Sequence, residues 1–497
     1  MSQNIFKLQN GSDIRGIAIE GVPGEEMNLD DNIVARIASS YVHWLSLKVN
    51  KNPVMLNICI GHDSRITADR MSAALKKGIC MMGAKVEDAG LASTPAMFMS
   101  TVMPYYEFDG AIMITASHLP FNRNGLKFFT AEGGLDKQDI TSILTKAAKI
   151  NFIGEWYESQ PVNLMQMYAA HLRQLISMEV PGLKGMKIVV DAGNGAGGFF
   201  ATEVLGRLGA DISDSQFLEP DGNFPNHQPN PENKAAMASI CEKVKACGAD
   251  LGIIFDTDVD RSAAVTPSGR PIARNEIVAL AAALKAESHP GGTVVTDSIT
   301  SNELHDFLEK ELGLKHLRYK RGYRNVINKA QELASEGEDA FLAIETSGHA
   351  AYSDNYYLDD GAYLAVLIVC AAAKLKAEGK TIDSLIEKLA TPAESEEIRF
   401  NITAEDFGPV GDQALTEVKF WAENADVFEL EEPNYEGVRV NYAVPVGDKT
   451  AKGWFLLRKS LHDPVLPLNI ESDTTGGCAV ISEAIKEFLG HIEGIEV

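Results

Sequence analysis

The stretch MKIVVDAG, Met186 to Gly193, running into FFATEVLGRLG, Phe199 to Gly209, decides the fold. The first segment is an unbroken apolar run of strand length, as expected of a strand covered on both faces, and the second has helical spacing. The same pairing recurs in VMLNICIG (54–61) with ADRMSAALKKGICMMGA (68–84), and around ADLGIIFD (249–256) and GGTVVTDS (291–298). Repeated strand–helix units predict parallel sheets covered by helices. Breaks rich in Gly, Pro and Asn fall near 152–162, 265–275 and 391–396. Beyond the last of these, GVRVNYAV (437–444) and GWFLLRKS (453–460) each resemble one strand of a meander. The expectation is three similar α/β domains with mixed, largely parallel sheets and a smaller α+β C-terminal domain. The boundaries are set at 1–158, 159–265, 266–392 and 393–497.

A chain of 497 residues, 45% hydrophobic, is long enough for several packed cores. Its 69 acidic and 45 basic side chains give a formal net charge of −24, which repels nucleic acid. An anionic substrate would therefore require the few cations to be gathered at its site. The six cysteines form no Cys-x-x-Cys pair and several sit in apolar surroundings, the pattern of buried thiols in a reducing compartment. The N-terminus lacks a basic start followed by an apolar core, and the longest apolar run, Ala362–Ala373, is too short to span a bilayer. A cytoplasmic protein with no nucleic-acid or membrane partner, monomeric or homodimeric, is expected.

One motif points toward a nucleotide. VVDAGNGAGG satisfies Gly-x-Gly-x-x-Gly through Gly193, Gly195 and Gly198, with Asp211 a suitable distance on. Against it, Asp191 and Asn194 stand where a pyrophosphate would approach. A Walker loop fails at EGKT (378–381), where Lys374 occupies the place of the first glycine.

Three other stretches carry chemistry. In LGIIFDTDVDRSAAV, Asp256, Asp258 and Asp260 alternate directly after a buried strand, so three carboxylates converge at a sheet's carboxyl end. A hard divalent cation removes their repulsion, and oxygen-only ligands favour Mg²⁺. Arg261 follows and suits a phosphate oxygen. In AIETSGHAAYSD, Glu345 and Ser347 at alternate positions suit neighbouring sugar hydroxyls, and His349 can move a proton. In AIMITASHLPFNRNGLKFF (111–129), an apolar run empties into a polar turn carrying Ser117, with Lys127 ten residues on. A serine on a strand-end turn, a metal site, a lysine and a hydroxyl-binding loop are parts for phosphoryl transfer through a phosphoserine.

With these motifs in this order the chain resembles the α-D-phosphohexomutase superfamily, and within it phosphomannomutase/phosphoglucomutase. GSDIRG resembles the N-terminal motif supplying an arginine, here Arg15, and GHDSR (61–65) the early Gly-x-Asp-x-Arg. TASHLP (115–120) resembles the phosphoserine loop, DTDVDR the metal loop and ETSGH the sugar loop. The resemblance implies four domains around a central cleft, with Ser117, Asp256, Asp258 and Asp260 holding Mg²⁺ and hexose 1,6-bisphosphate as intermediate and activator. It also implies His118, Lys127, Arg15 and His349 as catalytic groups, with Lys127 and His349 near the proton transfers. Lys320 and Arg321 of YKRGYR would lie near the sugar, and a mobile C-terminal domain would close on the substrate phosphate.

Departures from the family pattern leave the substrate open. Leu119 stands for the usual Asn and Thr257 for the usual Gly. In GWFLLRKSLHDPVLPLN, Arg458 and Ser460 of the phosphate loop remain, while His462, Asp463 and Pro467 replace its Thr, Glu and second Arg. Substrate-binding candidates are thus Lys320, Arg321, Glu345, Ser347, Arg458, Ser460 and His462. A mutase of mannose or glucose phosphates leads. A phosphoglucosamine mutase, in which Thr346 would stand for Gln, a phosphosugar-binding protein without turnover, and a nicotinamide oxidoreductase are the alternatives.

Overall fold

The computed structural model describes residues 5–106, 108–151, 154–404, 406–460 and 463–497. The chain forms two compact units, one of residues 1–277 with 347–385, the other of residues 278–346 with 386–497.

In the first unit, Asn57–His62 lies between Lys85–Leu91 and Gly110–Ile114, parallel to both, and Arg123–Thr130 then Asp13–Ile17 add antiparallel strands. Gly110–Ile114 is buried along its whole length, which is why it reads as a continuous apolar run. Helix Asp31–Lys48 is started by the Asp30 side chain, which accepts from the Ile33 amide, and packs Ile33, Val34, Ile37, Tyr41 and Leu45 into the core. Each such side chain contributes about 1.5–3 kcal/mol on burial. Ser117 lies just past the carboxyl end of Gly110–Ile114.

A second sheet runs Ile188–Asp191, Leu251–Phe255, Ser262–Val265, Pro271–Ile272, parallel for the first pair and antiparallel after it. Phe255 pairs with Ser262, so DTDVDR is the loop of a β-hairpin. The segment read as a helix after Ile188–Asp191 is instead a π-helix over Phe200–Leu205, where the Gly206 amide reaches back to the Ala201 carbonyl, followed by a 3₁₀ turn. Helix Gly361–Ala377 returns to this unit, capped by Asp360, whose carboxylate also accepts the Tyr168 hydroxyl at 2.7 Å. It contains the long apolar run. Among the described residues no helix is long and apolar enough to cross a membrane.

In the second unit, Thr293–Asp297 lies between Lys315–Tyr319 and Leu342–Ile344, all parallel. The carboxyl ends of these strands carry Asp297, Lys320 with Arg321, and Glu345. The C-terminal sheet is wholly antiparallel, and its Val438–Val446, Lys449–Leu457 and Val465–Ser472 form the meander expected from the sequence. Helices Phe407–Glu423 and Gly477–Leu489 share a core with this sheet through Val418, Ile481 and Ile485. All six cysteines are free thiols, and burial pushes Cys370 and Cys478 up to about 12.

Candidate active site

Ser117 adopts φ 50°, a left-handed conformation that a non-glycine residue keeps only when its surroundings impose it. The imposing groups come from GHDSR. The Ser117 amide donates to Thr115 Oγ1 at 2.8 Å, and the Thr115 hydroxyl donates to Asp63 Oδ2 at 2.7 Å. Arg65, 1% exposed, pairs with Asp63 at 3.3 Å. Its guanidinium donates to the carbonyls of Leu119 at 2.6 Å, Pro120 at 2.8 Å and Arg123 at 2.9 Å, and also to that of Ser117. One planar fork thereby shapes the whole turn. Position 119 serves through its backbone carbonyl, so leucine there does not change this support.

Around the Ser117 hydroxyl, Oγ donates to Asp256 Oδ2 at 2.8 Å, with His118 Nδ1 and Arg261 Nη2 each at 3.4 Å. Arg261 Nη2 donates to His118 Nδ1 at 2.7 Å, and its Nε and Nη2 reach Asp256 at 3.3 Å. Burial, then the positive charge of Arg261, holds His118 down at about 3, so its ring is neutral at pH 7.

Asp256, Asp258 and Asp260 are fully buried, with carboxylate oxygens within 4.8 Å of one another. Lys127 Nζ lies 3.0 Å from Asp258 Oδ2 and also pairs with Asp260 Oδ2. Thr94 Oγ1 donates to Asp258 Oδ2 at 2.5 Å. The other oxygens, Asp258 Oδ1 and Asp260 Oδ1, are buried without a hydrogen-bond partner. Burial and then the neighbouring carboxylates push Asp256 well above the usual carboxylate range. Clustered, desolvated carboxylates with unused oxygens are what a hard cation requires, and the donor set is oxygen alone, so these residues fit a divalent ion such as Mg²⁺. His349 Nδ1 meets Asp359 at 2.6 Å and Asp260 at 3.8 Å. Burial opposes its charge, but Asp359 and Asp260 outweigh that and lift it to about 9. Arg15, paired with Asp13 at 2.9 Å, sits opposite Gly125 on the strand next to that of Lys127. Ser347, in the same unit, is nearly buried, and the loop turns at Gly348 with φ 96°.

The second unit gathers Arg321, Glu345 and Arg458. Glu345 Oε1 accepts the Gly322 amide at 2.6 Å, and Glu436 Oε2 accepts the Arg321 amide at 3.1 Å. Burial and then the like charge of Arg321 lower Arg458, whose Nε is buried without a partner. Asp297 accepts the Thr346 amide at 3.3 Å and hydroxyl at 3.1 Å. Burial and then the nearby Glu345 lift Asp297 to about 7. Ser460 Oγ accepts the Asp463 amide at 3.2 Å. Lys320 is exposed. Pro467 is a buried strand residue opposite Arg399, its carbonyl accepting the Arg458 amide at 3.0 Å. His462 lies outside the described residues.

The dinucleotide fingerprint has no room for a cofactor. A Cβ on Gly195 would come within 2.6 Å of the Thr257 carbonyl, and one on Gly198 within 2.3 Å of that of Leu218. The glycines are there for chain packing. Sequence reasoning missed what Asp63, Arg65 and Asp359 do. Their signal was a charged pair directly after a buried strand, and a carboxylate ten residues beyond His349.

Residues 7–153, 166–269 and 273–392 match the families described as phosphoglucomutase/phosphomannomutase α/β/α domains I, II and III. The chain is 29% identical over 437 residues to a phosphomannomutase/phosphoglucomutase of Pseudomonas putida, covering 88% of each chain. It is 30% identical over 391 residues to a phosphoglucomutase/phosphomannomutase of Thermococcus kodakarensis, covering 77% of this chain and 80% of the other. A solved structure of a phosphoglucomutase/phosphomannomutase family protein from Burkholderia thailandensis superposes with a TM-score of 0.78 at 24% identity, over 99% of this chain and 98% of the other. The serine turn, the carboxylate hairpin loop and the three matched domains agree: this chain belongs to the phosphoglucomutase/phosphomannomutase family of the α-D-phosphohexomutase superfamily, an isomerase family.

Proposed function

We propose that this chain interconverts hexose 1-phosphate and hexose 6-phosphate, of mannose, glucose or both, through a phosphoserine at Ser117 and a hexose 1,6-bisphosphate that also serves as activator. The observation that carries the reading is the Ser117 hydroxyl, held in a left-handed turn and donating to a carboxylate of the triad at 2.8 Å. Mg²⁺ held by Ser117, Asp256, Asp258 and Asp260 would neutralise the phosphoryl oxygens. Ser117 Oγ attacks phosphorus when the bisphosphate returns its group, and its proton already points at Asp256. Arg261, with Nη2 3.4 Å from Ser117 Oγ, would stabilise transferring phosphoryl oxygens, and Arg15 would add positive charge. Lys127 and His349, each held against carboxylates as cations, give protons to the leaving sugar oxygens and recover them in the reverse direction.

Glu345 and Ser347 take sugar hydroxyls common to both orientations of the bisphosphate. Arg321, Lys320, Arg458 and Ser460 take the phosphate that is not reacting, with His462 a further candidate. The four-domain division at 158, 265 and 392, the cytoplasmic setting and a monomeric or homodimeric state belong to the same reading. A glucosamine phosphate is the alternative substrate, although Thr346 stands for the Gln of those mutases and gives its hydroxyl to Asp297.

Intact-mass measurement tests the proposal directly. One added phosphate on Ser117 after incubation with glucose 1,6-bisphosphate is the expected result. No phosphate on the serine would leave a phosphosugar-binding protein without turnover.

A further inference from the structure

The glycine-rich turn that mimics a dinucleotide fingerprint holds a piece of the chain itself. Asp191, fully buried, meets His227 Nε2 at 3.0 and 3.1 Å, and accepts Gln216 Nε2 at 2.7 Å. Asn194 Oδ1 accepts Asn226 Nδ2 at 2.8 Å. Gly193 makes the close approach possible, because a Cβ there would lie 2.7 Å from Pro229 and 3.3 Å from the His227 ring. Asn226, His227 and Pro229 are thus seated on the turn at three points.

From the seated segment, contacts run to the neighbours of Ser117. Gln228 Nε2 donates to the His118 carbonyl at 2.7 Å. Asn230 Oδ1 accepts Arg261 Nη1 at 3.3 Å, and Glu232 lies 3.6 Å from the same nitrogen. Arg261 then turns its other nitrogen, Nη2, to His118 Nδ1 and to Ser117 Oγ. With Nη1 held as well, the guanidinium is anchored through both of its terminal nitrogens.

We propose that Asn226–Asn230 is a positioning loop: clamped on the glycine-rich turn by the His227–Asp191 pair, it fixes the His118 carbonyl and the Arg261 guanidinium, and so sets the direction in which Ser117 presents its phosphoryl group. This rests on the reading of Ser117 as the phosphoryl carrier. None of the loop residues touches the reacting atoms, so their loss acts on the rate of transfer and not on substrate affinity.

Gln228→Ala and Asn230→Ala, made singly in the full chain, test this. Each is expected to lower kcat about tenfold while KM stays within about twofold, with the melting temperature unchanged. His227→Ala is expected to lower kcat likewise, and His227→Gln, whose amide still donates to Asp191, to recover most of it. A kcat at the wild-type value in both Gln228→Ala and Asn230→Ala overturns the proposal, as does a change confined to KM or a loss that only tracks the unfolded fraction. Ser117→Ala serves as the separate control. Full turnover in that variant sinks the phosphoserine reading itself, whereas an inactive Ser117→Ala beside a normal Gln228→Ala and Asn230→Ala sinks only the positioning loop.

Discussion

Ser117 Oγ and Asp256 Oδ2 are joined by a 2.8 Å hydrogen bond across 139 residues of sequence. That bond ties the serine turn of one sheet to the carboxylate loop of the next. Ser117→Ala is expected to lower turnover at least about a thousandfold with the fold intact. Because Ser117 sits at φ 50°, Ser117→Gly is expected to be equally inactive yet more stable than Ser117→Ala by about 1 kcal/mol. Denaturant unfolding of the two variants reads this difference. A Gly variant markedly less stable than the Ala variant would refute the imposed-strain account.

The unused oxygens of Asp258 and Asp260 predict a cation-dependent melting temperature. Chelator is expected to abolish activity and Mg²⁺ to restore it. At about 100 times its Kd the ion adds about 2.7 kcal/mol of stability, and Asp258→Asn removes most of that gain. A wild-type protein that melts identically with and without divalent cation would dispose of the site.

Arg65 predicts a difference between charge and shape. Arg65→Ala leaves Asp63 buried and uncompensated, and is expected to destabilise by about 3–5 kcal/mol. Arg65→Lys restores the charge but not a fork reaching several carbonyls, so it is expected to recover stability in part and turnover little. Wild-type turnover in Arg65→Lys would mean that the serine turn does not depend on this guanidinium.

In the C-terminal sheet, Glu471 accepts Trp454 Nε1 at 2.9 Å, and burial, reinforced by Glu303, lifts it from 4.5 to about 7. A carboxyl raised on folding contributes stability that is fully present below about pH 4.5 and is lost as pH climbs through about 7. Glu471→Gln keeps the acceptor without the charge. It is expected to stabilise by about 1–3 kcal/mol at pH 8 and by close to nothing at pH 4, read from denaturant unfolding at the two values. A pH-independent effect would contradict the shift.

Arg458 bears on the altered phosphate loop. Loss of one charge-assisted contact costs about 1.5–3 kcal/mol, so Arg458→Ala is expected to raise KM for hexose phosphates at least about tenfold. Pro467, buried in its strand, offers no charge in compensation. An unchanged KM in Arg458→Ala would show that this loop does not hold the phosphate.

What was legible in the sequence was local. Asp256, Asp258 and Asp260 announce themselves because they alternate after an apolar strand, and Ser117 because it follows another. The roles of Asp63 and Arg65 were hidden because their partners in the serine turn lie more than fifty residues away, at a separation of 52 for Asp63 to Thr115. Gly193 and Gly195 misled for a different reason. Glycine is demanded equally by a ligand's phosphate and by a second stretch of backbone, and only the fold reveals Pro229 and Thr257 in that space. The strand order of the α/β sheets was beyond reach for the same reason as the serine's supports: it is set by pairing between distant segments.

The supports of Ser117 therefore have a kinetic meaning. Asp63, Asp256 and Arg261 reach the serine turn over sequence separations of 52, 139 and 144 residues, so its neighbours Thr115 and His118 do not by themselves make this hydroxyl special. In an unfolded chain, or a peptide cut from this turn, it is an ordinary serine. Long-range contacts form late because loop closure must precede them. During refolding, acceptance of a phosphoryl group by Ser117 should lag behind the recovery of helical signal, which makes phosphate incorporation a clock for the last step of assembly.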